Sequence, residues 1–219
     1  SWYFSKMNTV TSPTASAAKP LREHGFSEDI HIISNGIDVG RFCCTQDKQK
    51  IRQRYHLPDT PILLSLGRLD PEKNVDMILR ALPAALKKVD IHFVIVGSGK
   101  TEKKLRKLAR SQGIDHAVTF LGLVPNEDVP ELYAIADSFV IASTTETQGV
   151  VTMEAMSAGL PILAANVLAL PELVQDGENG FLFPHTDAKM LAERIVRVFS
   201  DKALRKRMSK KSVELIEKH

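Results

Sequence analysis

From Pro61 onward the chain alternates short, uninterrupted apolar runs with amphipathic stretches, and this alternation limits the possible folds more than any other feature. Residues 62–66, 92–96, 118–121, 139–142 and 161–164 read as strands with no polar face. Between them, 74–88 carries Val75, Ile78, Leu79, Leu82 and Leu86 at helical spacing, and 101–112 puts Leu105 and Leu108 on one side of a helix. Strands that are apolar on both faces must be covered on both faces, and regular alternation with helices makes the sheet parallel. The expected fold is therefore a doubly wound α/β domain. Such sheets bind ligands beyond the carboxyl ends of their strands. That rule points to residues 67–73, 97–100, 121–126 and 143–151.

Punctuation residues complete the reading. Pro83 predicts a kink or break in the first of these helices. Asn126 is placed to cap a helix running to about residue 136. A helix after 149 stops at Gly159, a short one over 170–175 ends at Asp176-Gly177, and Asn179-Gly180 turns the chain into the run 181–183. Helices fill 188–199 and 202–217. The first forty or so residues follow another rhythm, with strands at 8–12 and 30–33 flanking a helix at 14–24. Ser34-Asn35-Gly36-Ile37-Asp38 is turn chemistry and marks the boundary. The expected division is 1–34, 35–200 and a terminal helix at 201–219.

Composition excludes several classes. A net charge of +3 is too weak to suggest nucleic acid as a partner, although Lys100–Arg110 and Lys202–Lys211 are locally basic. The only cysteines are the neighbours Cys43 and Cys44, a poor disulfide pair, so a reducing, cytoplasmic setting is expected. No apolar run approaches the ~18 residues of a membrane span. The opening residues lack a signal-peptide layout and read like the middle of a longer chain. The 7 histidines include no close pair, and no metal-ligand set is visible.

Two segments carry chemistry. Gly67-Arg68-Leu69-Asp70-Pro71-Glu72-Lys73 sets a guanidinium and an ammonium on a tight loop between strand and helix, an arrangement able to clamp a diphosphate. Taken alone, the segment reads more readily as two solvated loop charges. Glu146-Thr147-Gln148-Gly149-Val150-Val151-Thr152-Met153-Glu154 places one carboxylate in a loop and another inside the following helix. The N–H groups of 149–151 would open that helix and offer a seat for phosphate, and carboxylates suit vicinal hydroxyls. The plainer alternatives are a solvated loop acid and a dipole-friendly acid near a helix start. Gly97-Ser98-Gly99-Lys100-Thr101 invites a P-loop reading, but Val94 stands where the early glycine belongs. A dinucleotide fingerprint fails as well, because its third glycine falls at Glu102. A nucleotide-binding module of another class, for NAD or ATP, therefore lacks its motif.

Together these segments resemble the family 4 retaining glycosyltransferases of the two-domain GT-B fold. The resemblance runs from about Asn35 to Phe183. It is carried by Ser34-Asn35-Gly36-Ile37-Asp38, Gly67–Asn74, Val96-Gly97-Ser98-Gly99, Phe120-Leu121-Gly122, Ala136–Val140, and Glu146 through Glu154 into Ala155–Pro161. Each is weak alone; in this order they are highly specific.

The resemblance implies a Rossmann-like domain that binds a nucleotide-sugar donor without a bound metal. Arg68 and Lys73, with Gly67 in the same loop, correspond to the holders of the diphosphate. Glu146 corresponds to the acid on the donor sugar, and Glu154 to the acid on the ribose. Thr147, Gln148, Gly149, Val150 and Val151 would supply backbone donors, and 121–124, ending at Val124, the base pocket. The new bond would keep the donor's anomeric configuration. Many relatives carry an aromatic where Gln148 stands; Glu-Thr-Gln-Gly resembles the subgroup that glycosylates diacylglycerol lipids, which implies UDP-glucose as donor. The basic clusters fit an anionic membrane surface or, equally, solvated helix faces. A complete enzyme of this kind has an N-terminal acceptor domain, of which 1–34 would be the last pieces. The chain alone is then expected to hold donor weakly and transfer no sugar, with Leu204, Val213 and Ile216 of the last helix left partly uncovered.

Overall fold

The computed structural model describes residues 7, 9–26, 29–42 and 47–218. The two neighbouring cysteines, Cys43 and Cys44, lie outside the described residues.

Six parallel strands form the main sheet: β3 (Ile62–Leu66), β4 (His92–Val96), β5 (Val118–Gly122), β6 (Ser138–Ile141), β7 (Ile162–Ala165) and β8 (Gly180–Phe183), in the order β5-β4-β3-β6-β7-β8. A smaller parallel pair, β1 (Val10–Ser12) and β2 (Ile30–Ile32), precedes it. Every residue of β4, β6 and β7 is buried, as expected of strands sandwiched between helix layers. The helices are α1 (Ala15–Glu23), α2 (Lys48–Arg54), α3 (Val75–Leu86), α4 (Glu102–Ser111), α5 (Val129–Ile135), α6 (Val150–Ser157), α7 (Leu170–Leu173), α8 (Ala188–Ser200) and α9 (Lys202–Ile216). The doubly wound α/β expectation is met.

The sheet order sets the location of the crevice. From β3 the chain steps outward through β4 to β5, then returns to the other side of β3 as β6 and moves outward again. The loops after β3 and β6 therefore leave the sheet in opposite directions, and a crevice opens between them.

Three sequence expectations fail. Helix α3 runs through Pro83 without a break. Its flanks, Leu79, Leu82 and Ala85, are buried against the core, and that burial outweighs the one backbone bond that proline removes. Asn126 does not cap α5, which begins at Val129 after Asp128 and carries Pro130 in its first turn, where the missing N–H costs nothing. Leu204 and Ile216 of α9 are buried rather than uncovered, because α9 packs on α6 and α8 and joins the main core. Its start is held by Asp201, whose side chain accepts from the N–H of Leu204 at 2.9 Å.

The first elements have a small core of their own, Val10, Ala18 and Ile30 with Leu21 and Phe26 against it. They meet the main domain end to end. Thr14, just past β1, donates its hydroxyl to the carbonyl of Thr147 at 2.6 Å, and Ser16 donates to the Leu168 carbonyl at 3.0 Å. The carboxyl ends of both sheets thus face the same region.

Candidate functional site

A cavity of about 270 Å³ occupies this crevice, lined by the loops after β3 and β6 and the start of α6. It brings together Gly67, Arg68, Lys73, Glu146, Thr147, Gln148, Gly149, Val150 and Val151, all of them sequence candidates, and adds Asn35 and Ser143. Val124 and Glu154 lie outside it. Val124 packs partly buried against the main core beyond β5.

Close backbone contacts brace the first loop. The N–H of Gly67 donates to Val96 O at 3.0 Å, that of Leu69 to Ser98 O at 2.8 Å, and Thr101 gives both its N–H (2.9 Å) and its hydroxyl (2.6 Å) to Leu69 O. The Gly97–Thr101 segment is therefore spent on holding loop 67–73 in place, which removes the phosphate-cradling role that its glycines and lysine suggested. Gly97 is the contact that permits this approach. Its φ is +124°, and a Cβ there would stand 1.9 Å from Gly67 O.

The second loop is tied to the first across the crevice. Thr144 donates its N–H to Glu72 O at 3.0 Å. Lys73 Nζ lies 2.5 Å from Glu146 Oε1, and both side chains are mostly buried, at 24% and 14% exposed. Arg68 is 70% exposed and turned aside, paired with Asp70 at 2.7 Å and Glu72 at 3.2 Å. Arg68 itself is exposed, but Asp70 is only 12% exposed, so an arriving anion has to compete with that pair for the guanidinium.

Helix α6 begins at Gly149, whose left-handed φ of +78° turns the chain into the first turn. Intrahelical bonding starts with Thr152 and Met153, both donating to Gly149 O. The N–H groups of Val150 and Val151 thus stand at the open, positive end of the helix, beside Lys73. A lysine, an acid and a helix N-terminus in one crevice can hold a polyanion bearing hydroxyls.

Glu154 sits one turn deeper. Tyr133, fully buried, donates its hydroxyl to Glu154 Oε2 at 2.9 Å, and that oxygen atom of Tyr133 also lies 3.2 Å from Val151 O. Burial raises the Glu154 carboxyl above its ordinary value of 4.5, against the opposing effects of the Tyr133 bond and the Arg41 charge. Tyr133 is pushed well above 10, by its own burial first and by Glu154 second. Raised in the folded state, the Glu154 carboxyl contributes stability that is present below its ordinary value and lost as pH rises through the folded one. A Glu154→Gln variant should therefore gain stability relative to the parent as pH rises above the ordinary carboxyl value of 4.5 in urea titrations. A parent that gains on the variant over that range would mean that burial is not the dominant effect.

Tyr133 and Arg41 were not singled out from the sequence, and Asn35 was read as boundary turn chemistry rather than as a site residue. Tyr133 sits at helical spacing and reads as core. Arg41 reaches across to the Asn126 carbonyl and stacks over Phe42 at 5.6 Å, a link between distant loops that no local pattern signals.

A doubly wound sheet of this order, with a crevice at its reversal point, is found in the GT-B glycosyltransferases among other nucleotide-binding folds. Residues 47–214 match the family model described as "Glycosyl transferases group 1", and the chain belongs to that family. It is 32% identical over 186 residues to the GDP-mannose-dependent alpha-(1-6)-phosphatidylinositol monomannoside mannosyltransferase of Mycolicibacterium smegmatis, an overlap covering 81% of this chain and 49% of that protein. The crystal structure of Anabaena HepE in complex with UDP and glucose superposes with a TM-score of 0.88 at 25% identity, over 96% of this chain and 58% of that one. The C-terminal domain of a group 1 glycosyltransferase (LpcC) from Francisella tularensis matches with a TM-score of 0.76 at 25% identity, over 84% of this chain and 97% of that one. The chain spans about half the length of the curated relatives it matches.

Proposed function

We propose that the crevice is the donor site of a retaining glycosyltransferase. The observation that carries this reading is the Lys73–Glu146 pair, held 2.5 Å apart beside the open end of α6. In this reading Lys73, Arg68 and the N–H groups of 149–151 hold the donor diphosphate, and Glu146 takes hydroxyls of the sugar. Glu154 takes the ribose, and 121–124 meets the base. As the sugar–phosphate bond breaks, the cations stabilise the charge on the leaving diphosphate. The acceptor hydroxyl bonds to the same face of the anomeric carbon and gives its proton to that diphosphate.

The UDP and glucose in the Anabaena structure support a UDP-sugar, and the mannosyltransferase relative makes a GDP-sugar the alternative. A diacylglycerol-type acceptor is our choice of substrate class, supported by the relative named for a phosphatidylinositol mannoside. Lys103, Lys104, Lys107 and Arg110 of α4 are exposed, which suits contact with an anionic membrane surface. Among the described residues, no helix is long and apolar enough to cross a membrane. We assign 1–34 to the acceptor side and 35–200 to the donor domain, with 201–219 as a terminal helix. On this reading the chain alone binds donor and transfers no sugar.

Thermal unfolding with UDP, GDP, ADP, NAD and ATP tests the proposal. A ligand at a hundred times its dissociation constant adds about 2.7 kcal/mol. Stabilisation by one nucleoside diphosphate, lost in an Arg68→Ala, Lys73→Ala variant, is the expected result. A response to NAD or ATP alone would overturn the reading.

A further inference from the structure

Gln148 stands in the middle of the loop that carries Glu146, yet its side chain does not serve the cavity. It is 3% exposed, and its amide is satisfied almost wholly by the segment between the two sheets. Nε2 donates to Ser34 Oγ at 2.9 Å and to Asn35 O at 2.8 Å, and Oε1 accepts from Asn35 Nδ2. The Asn35 carbonyl can only accept, so it fixes which end of the Gln148 amide faces it. Asn35 itself is exposed and lines the cavity. Burying a primary amide without partners costs several kcal/mol, so the loop keeps this conformation only while residues 34–35 stay where they are. The same loop is held from the other side by Thr14, at the Thr147 carbonyl. The Glu146 carbonyl accepts from Ala169 N–H at 3.2 Å, next to Leu168, whose carbonyl holds Ser16.

We propose that Gln148 is a positioning residue. Its amide latches the inter-sheet segment 34–35 to the donor loop, and donor binding and the position of that segment are thereby coupled. The proposal rests on the donor-site reading above. A ligand that fixes residues 146–151 also fixes Gln148 and, through it, Asn35. Linkage requires the reverse as well: a segment held in place raises the affinity of the loop for its ligand by the same factor.

The test uses this chain, with UDP and GDP as probes, Lys73→Ala as the control, and Gln148→Leu and Asn35→Ala as latch variants. Gln148→Leu keeps most of the volume and removes the amide; Asn35→Ala alters an exposed residue and decides the matter if the first variant does not fold. Hydrogen exchange at residues 30–38 and the dissociation constant are read together. In the parent, the binding nucleotide slows exchange at 30–38. In the latch variants it still binds, about fivefold more weakly or worse, and that protection disappears. Latch variants that lose thermal stability but keep both the parent's affinity and its protection pattern make Gln148 merely structural and overturn the latch, leaving the donor site intact. No binding of either nucleotide to the parent would overturn the donor reading and the latch with it.

Discussion

Replacing Lys73 by alanine is expected to weaken nucleoside diphosphate binding by roughly thirtyfold, about 2 kcal/mol, the usual worth of a charge-assisted hydrogen bond. The same change should destabilise the unliganded protein by about 1–2 kcal/mol, because Glu146, 14% exposed, loses its counter-charge. The two effects come apart in a double variant. Lys73→Ala with Glu146→Ala removes both charges, so much of the stability returns while the affinity does not. Titration calorimetry and urea unfolding of the cycle read the two quantities separately. If affinity returned with stability, Lys73 would be acting only by neutralising Glu146, whose bare charge would otherwise repel the diphosphate.

Gly97→Ala carries the largest expected loss of stability, about 3–5 kcal/mol, from the sum of a strained φ and an overpacked contact. The neighbour a Cβ would meet is the Gly67 carbonyl at 1.9 Å, which is backbone and cannot swing away. Relief requires the loop bearing Arg68 and Lys73 to shift, so any folded fraction should also bind ligand poorly. Gly149→Ala provides the contrast. Its φ of +78° is strained too, but its new Cβ meets side-chain ends alone, those of Leu173 and Leu170 at 3.1 and 3.3 Å and the Thr152 hydroxyl at 3.5 Å. Those can move, and the expected cost is about 1–2 kcal/mol. Chemical denaturation of both variants orders them; equal losses would show that the Gly67 contact is not what Gly97 is needed for.

Much of the fold was legible because its information is local. Short, largely apolar runs such as Ile62–Leu66 and His92–Val96 suit buried strands by their length and flanks, and the helices between them favour a parallel sheet. Of the four loops to which the carboxyl-end rule pointed, 67–73 and 143–151 line the cavity and 97–100 and 121–126 do not. Local rules failed where a distant partner decides. Pro83 is tolerated because α3 packs against α8 and α4 and buries its apolar face in the main core. The burial of Leu204 depends on α6, far away in sequence. Gln148 looked like one more donor-loop residue because its partners, Ser34 and Asn35, are more than a hundred positions earlier. Arg68 was correctly placed at the crevice, but its pairing with Asp70 and Glu72 is a competition among neighbours that spacing cannot rank.

The central claim is that a donor diphosphate sits between Lys73 and the N-terminus of α6. Amide chemical shifts during a titration with UDP, and with GDP in parallel, test it most directly. Gly149, Val150 and Val151 are expected to shift saturably with one of the two, and the shifts to vanish in Lys73→Ala. Shifts centred instead on Gly97–Thr101, with 149–151 unmoved, would contradict it.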